Sequence, residues 1–144
     1  ATKHITVKKA PWTDYDFVAL EVLEQTTNTR YFDASNTVQF EANEAGHSIV
    51  FEFESPEDAN YEISLKTFEA PSYGKYNIKV DGELLMEYDF YDPASGANDF
   101  FETIGVLYLE EGKHTISFEN TGKQEVSTNY KMGVLELRLL NQDN

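Results

Sequence analysis

From residue 49 onward, apolar and polar residues alternate along most of the chain. Ile49, Phe51 and Phe53 alternate with Val50, Glu52 and Glu54, and Tyr61, Ile63, Leu65 and Thr67 with Glu62, Ser64 and Lys66. Tyr76, Ile78 and Val80 follow the same rule, then Leu84, Met86, Tyr88 and Phe90, then His114, Ile116 and Phe118, and finally Leu135, Leu137 and Leu139. A period of two with a charged outer face predicts antiparallel strands, each packed on one side only.

Turn chemistry separates these runs where strands should end. Asp81-Gly82, between two alternating segments, predicts a tight hairpin. Glu110-Glu111-Gly112-Lys113 predicts another short turn, while Ala70 to Gly74 and Asp92 to Gly96 read as loops from their Pro and Gly content. The N-terminal part is less regular. His4 to Val7, Phe17 to Leu23 and Thr37 to Glu41 read as strands, and Leu20 to Gln25 also fits a short helix. This many short strands, with no internal repeat, linker or low-complexity tail, predict one all-β domain over residues 1–144. Its expected form is an antiparallel β-sandwich of the jelly-roll type.

Chain direction gives that sandwich two unlike ends. If each run reverses the last, the turns at 55–59, Asp81-Gly82 and Gly112 gather at one end. The connection 42–46, the Pro71 loop and the loops 91–99 and 120–129 gather at the other. Rigid sandwiches carry recognition on loops collected at one end, so the long-loop end is the expected functional surface.

Composition narrows the partners. The 144 residues are 40% hydrophobic and 14% aromatic, enough to build a core, and the formal charge is −15. Only 11 residues are Lys or Arg, so nucleic acid and anionic membrane surfaces are not expected partners. The absence of cysteine excludes disulfides and thiolate metal sites. No apolar run approaches the ~18 residues of a membrane-spanning helix. The chain starts at Ala1-Thr2-Lys3 without a leader, which reads as a mature secreted chain or as a module of something larger.

No catalytic motif is visible. The three histidines, His4, His47 and His114, lack zinc-ligand spacing, and neither a nucleophile elbow nor a phosphate loop is present. Asp92, Asp99 and Glu102 lie near one loop, but a glycosidase needs two carboxyls facing one cleft, and solvated loop charges explain these acids as well. Sugar binding needs less: exposed aromatic rings for the apolar faces of the sugar, and amides or carboxylates for its hydroxyls. The long-loop end offers Tyr73, Tyr91, Asp92, Asn98, Asn129 and Tyr130. Tyr73, between Ser72 and Gly74 in a turn, is expected to be exposed. Tyr91 and Tyr130 adjoin strands and fit a core equally well, and Asn98 and Asn129 also suit turns. Trp12, the single tryptophan, either stacks on a ligand or covers an edge of the core.

The segments FEFESPEDANYEISLKTFEAPSYGKYNIKVDGELL, YDFYDPASG, IGVLYLEEGKHTISFENTGK and NYKMGVLELRLL carry a further signal. Ala70 to Gly74, Asp89 to Pro93 and Leu109 to His114 together resemble accessory β-sandwich domains of bacterial glycoside hydrolases and related secreted enzymes. More distantly they resemble family 6 and family 35 carbohydrate-binding modules. The resemblance covers roughly residues 38–140. It implies a non-catalytic module that holds an attached enzyme on its polysaccharide, outside the cell.

It also implies a structural calcium, the one cofactor in view, held by a Glu-x-Glu near the start and an Asp in the last strand. This chain has Glu21 and Glu24 at the first place and Leu135 at the second. Two alternatives stay open: a structural or oligomerisation sandwich beside a glycoside hydrolase, and a small jelly-roll glycosidase or lyase.

Overall fold

A computed structural model describes residues 12–143. The strand expected over His4 to Val7 lies outside the described residues, as does His4 itself.

The alternating runs become strands, and segments that carry no such run add others. In chain order they are β1 (Trp12–Asp16), β2 (Glu21–Gln25), β3 (Thr29–Phe32), β4 (Thr37–Phe40), β5 (Ser48–Ser55) and β6 (Ala59–Glu69). Then follow β7 (Lys75–Val80), β8 (Glu83–Asp89), β9 (Gly96–Ala97), β10 (Glu102–Leu109), β11 (Gly112–Gly122) and β12 (Met132–Asn141). One sheet has seven strands in the order β10-β6-β12-β4-β3, with β1 added beside β12 and β9 beside β6. The other has five, in the order β2-β5-β11-β7-β8, and every named strand pair is antiparallel. The chain is therefore a two-sheet all-β sandwich.

The inner faces meet in an aromatic core. Phe17 packs edge-on against Phe51 at 5.0 Å, Phe51 against Phe118 at 6.0 Å and Phe118 against Phe90 at 6.5 Å. Tyr76 continues the chain of rings at 5.6 Å from Phe90. Edge-to-face rings at such separations add to the stabilisation that apolar burial already supplies. Each ring but Phe17 comes from the inward set of an alternating run. Phe17 comes from a single 3₁₀ turn, Phe17–Ala19, ahead of β2, so the segment left open between helix and strand contains both.

Of the bulges in the two sheets, two decide how the apolar alternation reads. One lies between Ile78 and Lys79 opposite β8 and puts Leu84 outside, 53% exposed, while Leu85 packs against the core. The other lies between Val134 and Glu136 in β12, so Leu137 and Leu139 join Val134 in the core cluster and Leu135 does not. An extra residue in one strand shifts every later side chain to the opposite face, and residue pattern alone does not mark where it is inserted.

The Asp81-Gly82 hairpin forms as expected, with φ of 51° and 81° at its two residues. Both values are positive, as a type I′ turn requires. His114 beside it is a structural residue. Its ring lies 5.8 Å from Phe53, Nδ1 is 2.5 Å from Asp81 Oδ2 and Nε2 is 2.5 Å from the Glu110 carbonyl.

Candidate functional site

The long loops do gather at one end, and backbone hydrogen bonds weld them together. Gly46 N–H donates to the Asn120 carbonyl at 3.0 Å, Thr128 N–H to Pro71 at 3.0 Å, Gly74 N–H to Lys131 at 2.8 Å and Phe90 N–H to Gly74 at 3.0 Å. Gly74 sits where these segments cross. A Cβ there would lie 2.7 Å from both Asn120 Nδ2 and the Gly122 carbonyl, so only glycine admits this approach.

Buried polar groups complete the weld. Asn120 is buried; its amide donates to the Tyr130 carbonyl at 3.0 Å, and its Oδ1 accepts from Gly122 N–H at 2.9 Å. The Tyr76 hydroxyl donates to the same Tyr130 carbonyl. The buried Ser127 hydroxyl lies 2.7 Å from the Tyr73 carbonyl and 2.9 Å from that of Asn129. A buried polar group left unpaired costs about 1–3 kcal/mol, so these pairings fix the loops firmly.

Tyr73 is not the exposed ring that its turn position suggests. It is 1% accessible, buried beside Phe68 over Gly133, and its hydroxyl donates to Gln39 Oε1 at 2.6 Å. Burial, with the Glu41 carboxylate adding to it, pushes its phenol pKa well up. A ring so enclosed presents no face to a sugar. Gly133 makes the fit: with no side chain of its own, it leaves the space that the Tyr73 ring occupies.

Asn98 is likewise taken up inside the protein. Its amide donates to Thr67 Oγ1 and to Glu69 Oε2, both at 3.0 Å, and its N–H to the Thr67 carbonyl at 2.8 Å, which pins the 91–99 loop along β6. Glu69 Oε2 also accepts from the Tyr88 hydroxyl.

Tyr91, Asp92, Asn129 and Tyr130 are all partly exposed at the loop end. Asp89 sets two of the loops: Oδ1 accepts from Tyr91 N–H at 3.0 Å and Oδ2 from Gln124 Nε2 at 2.6 Å. Asp92 Oδ1 accepts from Ala94 N–H at 2.8 Å, and Asn129 Oδ1 from Tyr130 N–H at 2.9 Å. Each keeps its remaining polar atoms for solvent or ligand. Lys123 Nζ, from the other end of the same loop, lies 5.7 Å from the Tyr130 ring centroid, a cationic neighbour that sequence reasoning passed over.

Trp12 stands apart from this group. It lies on β1 opposite Leu140, towards the tight-turn end of the seven-stranded sheet, and is 44% exposed. It does not close over the loop end.

The calcium donors that the resemblance implies do not assemble. Glu21 is on β2 opposite Glu52, Glu24 lies beyond a bulge in the same strand, and Leu135 offers only a hydrocarbon side chain in the other sheet. Among the described residues, no three or more His, Cys, Asp or Glu side chains are grouped to hold a metal ion. No helix among them is long and apolar enough to cross a membrane.

No protein-family model matches the sequence, and no curated protein does. Solved structures do match. A Paenibacillus xanthan lyase aligns over 90% of this chain with TM-score 0.80 and 17% identity. A family 35 carbohydrate-binding module from an environmental isolate aligns over 90% of this chain and 93% of its own, with TM-score 0.60 and 12% identity. The chain has the fold of a carbohydrate-binding module. A family 36 module solved with calcium and xylotriose agrees, covering 88% of this chain and 97% of its own at TM-score 0.57 and 12% identity. The module fold accounts for only part of some matches: this chain spans 13% of the lyase's length. At such identities the likeness is one of fold.

Proposed function

We propose that this chain is a non-catalytic carbohydrate-binding module, secreted and attached to a polysaccharide-degrading enzyme. The observation that carries this reading is the match to isolated modules over nearly their whole length, 93% and 97% of the two described above. The site would be the welded loop end. Tyr91 and Tyr130 supply ring faces for stacking, and Asp92 and Asn129 supply acceptors and donors for hydroxyls. Rigid loops lose little conformational freedom on binding, so more of each contact appears as affinity. Tethering then raises the concentration of the attached enzyme at its substrate without any chemistry by the module.

The −15 charge favours an uncharged glycan. The xylotriose bound by the family 36 relative makes xylan a sensible first probe. Affinity electrophoresis of the folded chain in gels containing soluble xylan and other neutral polysaccharides tests the reading. Retardation that Tyr130→Ala reduces is the expected result, and unretarded migration in every gel overturns it.

A second reading, a packing domain within a larger enzyme, has the lyase match in its favour, because the highest of these TM-scores is to a segment of a long chain. Self-association of the isolated domain together with indifference to glycans would select it.

A further inference from the structure

The margins of the sandwich differ in charge. Among the described residues, one sheet ends on β10 and β3 and the other on β2 and β8, with β1 and β9 as short additions. A margin strand offers a row of unpaired N–H and C=O groups to another strand, unless charge or irregularity guards it. β1 and β2 each carry two carboxylates and β8 carries three, with no Lys or Arg among them. β10 carries Glu102, and a bulge between Thr103 and Gly105 breaks its register. β9 has only two residues.

β3 has no such guard. Its four residues hold one cation, Arg30, and no acid. The stretch from Gln25 to Phe32 holds no acid either, in a chain of charge −15. Its pairing with β4 runs without a shift, from Thr29 opposite Phe40 to Phe32 opposite Thr37.

The side chains of β3 are open as well. Opposed residues of an antiparallel pair share a face. Tyr31 stands opposite Val38, which is fully buried, yet Tyr31 is 49% exposed, so β3 overhangs the core. Phe32, 36% exposed, shares the other face with Arg30, whose guanidinium carbon lies 5.2 Å from the Phe32 ring centroid. Glu41 holds Arg30 loosely: Nε is 3.6 Å from Oε1, while Lys131 Nζ is 2.9 Å from Oε2.

We propose that β3 pairs with β3 of a second copy of this chain, antiparallel about a two-fold axis normal to the sheet. The two seven-stranded sheets then become one. The residues of β3 select the register. With Tyr31 on the axis, it faces Tyr31 of the second copy, and Arg30 faces Phe32 of the second copy. Each guanidinium keeps a ring, and two aromatic side chains form a cross-strand pair. Centring on Arg30 would oppose two guanidinium groups. Centring on Phe32 would set Arg30 against Ala34, in the 3₁₀ turn Asp33–Ser35 beyond the strand.

Charge selects this margin for a second copy. Two chains of −15 repel each other, and self-pairing along β3 sets no carboxylate against another. The two-fold reverses strand direction, so the loop ends of the two copies point in opposite directions. On the carbohydrate-binding reading, the dimer bridges two glycan chains. The pairing itself does not depend on that reading.

Sedimentation equilibrium of the whole chain, without glycan, tests the pairing alone. It is run at about 0.15 and about 1 M salt, between which the screening length falls from about 8 to about 3 Å. The expected result is a reversible dimer that tightens at the higher salt, as repulsion between the copies is screened. Tyr31→Lys sets two ammonium groups on the axis and should raise the dissociation constant about tenfold or more. Tyr31 is exposed, so this variant should melt as the unaltered protein does. Tyr108→Lys, on β10, should leave the dimer intact. Amide exchange over Thr29–Phe32 should slow as protein concentration rises. A monomer at every concentration in both salts overturns the proposal, whether or not glycans bind. So does a dimer that Tyr31→Lys leaves unchanged. A dimer that Tyr108→Lys dissociates instead puts the interface on β10 and overturns pairing through β3.

Discussion

Tyr73 shows how a turn residue can belong to the core. A tyrosine flanked by Ser72 and Gly74 reads as exposed, yet Gly133, sixty positions away, leaves the space its ring occupies. Tyr73→Phe should keep the packing and lose the hydrogen bond to Gln39, costing about 1 kcal/mol. Tyr73→Ala should cost about 3–5 kcal/mol, as other large-to-small changes in cores do. Urea denaturation measures both, and a Tyr73→Ala variant as stable as the unaltered protein would contradict the burial. His114 makes a pH prediction. Burial opposes its charged form, but the hydrogen bonds to the Glu110 carbonyl and Asp81 carboxylate outweigh it and raise its pKa above the usual histidine value. A raised folded pKa stabilises fully below the unfolded value of about 6.5 and is lost as pH rises through the folded one. Thermal melts across that range should therefore show a fall in stability that His114→Gln flattens. Equal pH slopes in the two proteins would count against this linkage.

At the scale of elements, the loops are held by one another more than by their own composition. Gly74 accepts a bond from Phe90 N–H, donates one to Lys131, and lies against Asn120 and Gly122. Gly74→Ala should force these strands' ends apart and cost about 1–3 kcal/mol, the range for overpacking. Because the same segments carry Tyr91 and Tyr130, glycan retardation should fall with stability in this variant, whereas Tyr130→Ala should affect retardation alone. Gel retardation and melting measured together distinguish the two. The strands themselves were largely legible, since alternation gave β5, β6, β7, β11 and most of β12. β1 and β3 were not, because Trp12–Asp16 and Thr29–Phe32 are short strands whose residues are mostly exposed. A short strand at a sheet margin has little buried face to leave a pattern.

The whole molecule is governed by its charge of −15. Self-repulsion of that size should make the melting temperature rise as salt increases from 0.01 to 0.15 M, where the screening length falls from about 30 to about 8 Å. Binding to a neutral glycan should change little over the same interval, because no ion pair forms with the ligand. Calorimetry at the two salt concentrations checks both. Calcium gives a further expectation at this scale. Among the described residues, Glu21, Glu24 and Leu135 do not form the site that the module resemblance implies, so Glu21→Gln and Glu24→Gln should leave the response of the melting temperature to a chelator unchanged. A fall of several degrees on adding chelator would reveal donors outside that set.

The sequence by itself determined the class of fold and its two unequal ends. A side-chain period of two and Gly- or Pro-bearing turns act locally, so they are written in neighbouring residues. It also placed Tyr91, Asp92, Asn129 and Tyr130 at one end, because chain reversal is cumulative and can be counted. Only the tertiary structure decided which of these residues remain free. Asn98 is held by Thr67 and Glu69, thirty positions earlier, and Tyr73 by Gln39 and Gly133, and no local pattern records such pairs. The same holds on the outer face of the seven-stranded sheet, where Trp12, Phe101 and Arg138 come from three distant segments. Their meeting depends on strand register across β1, β12, β6 and β10, which is settled by the packing of the whole sheet.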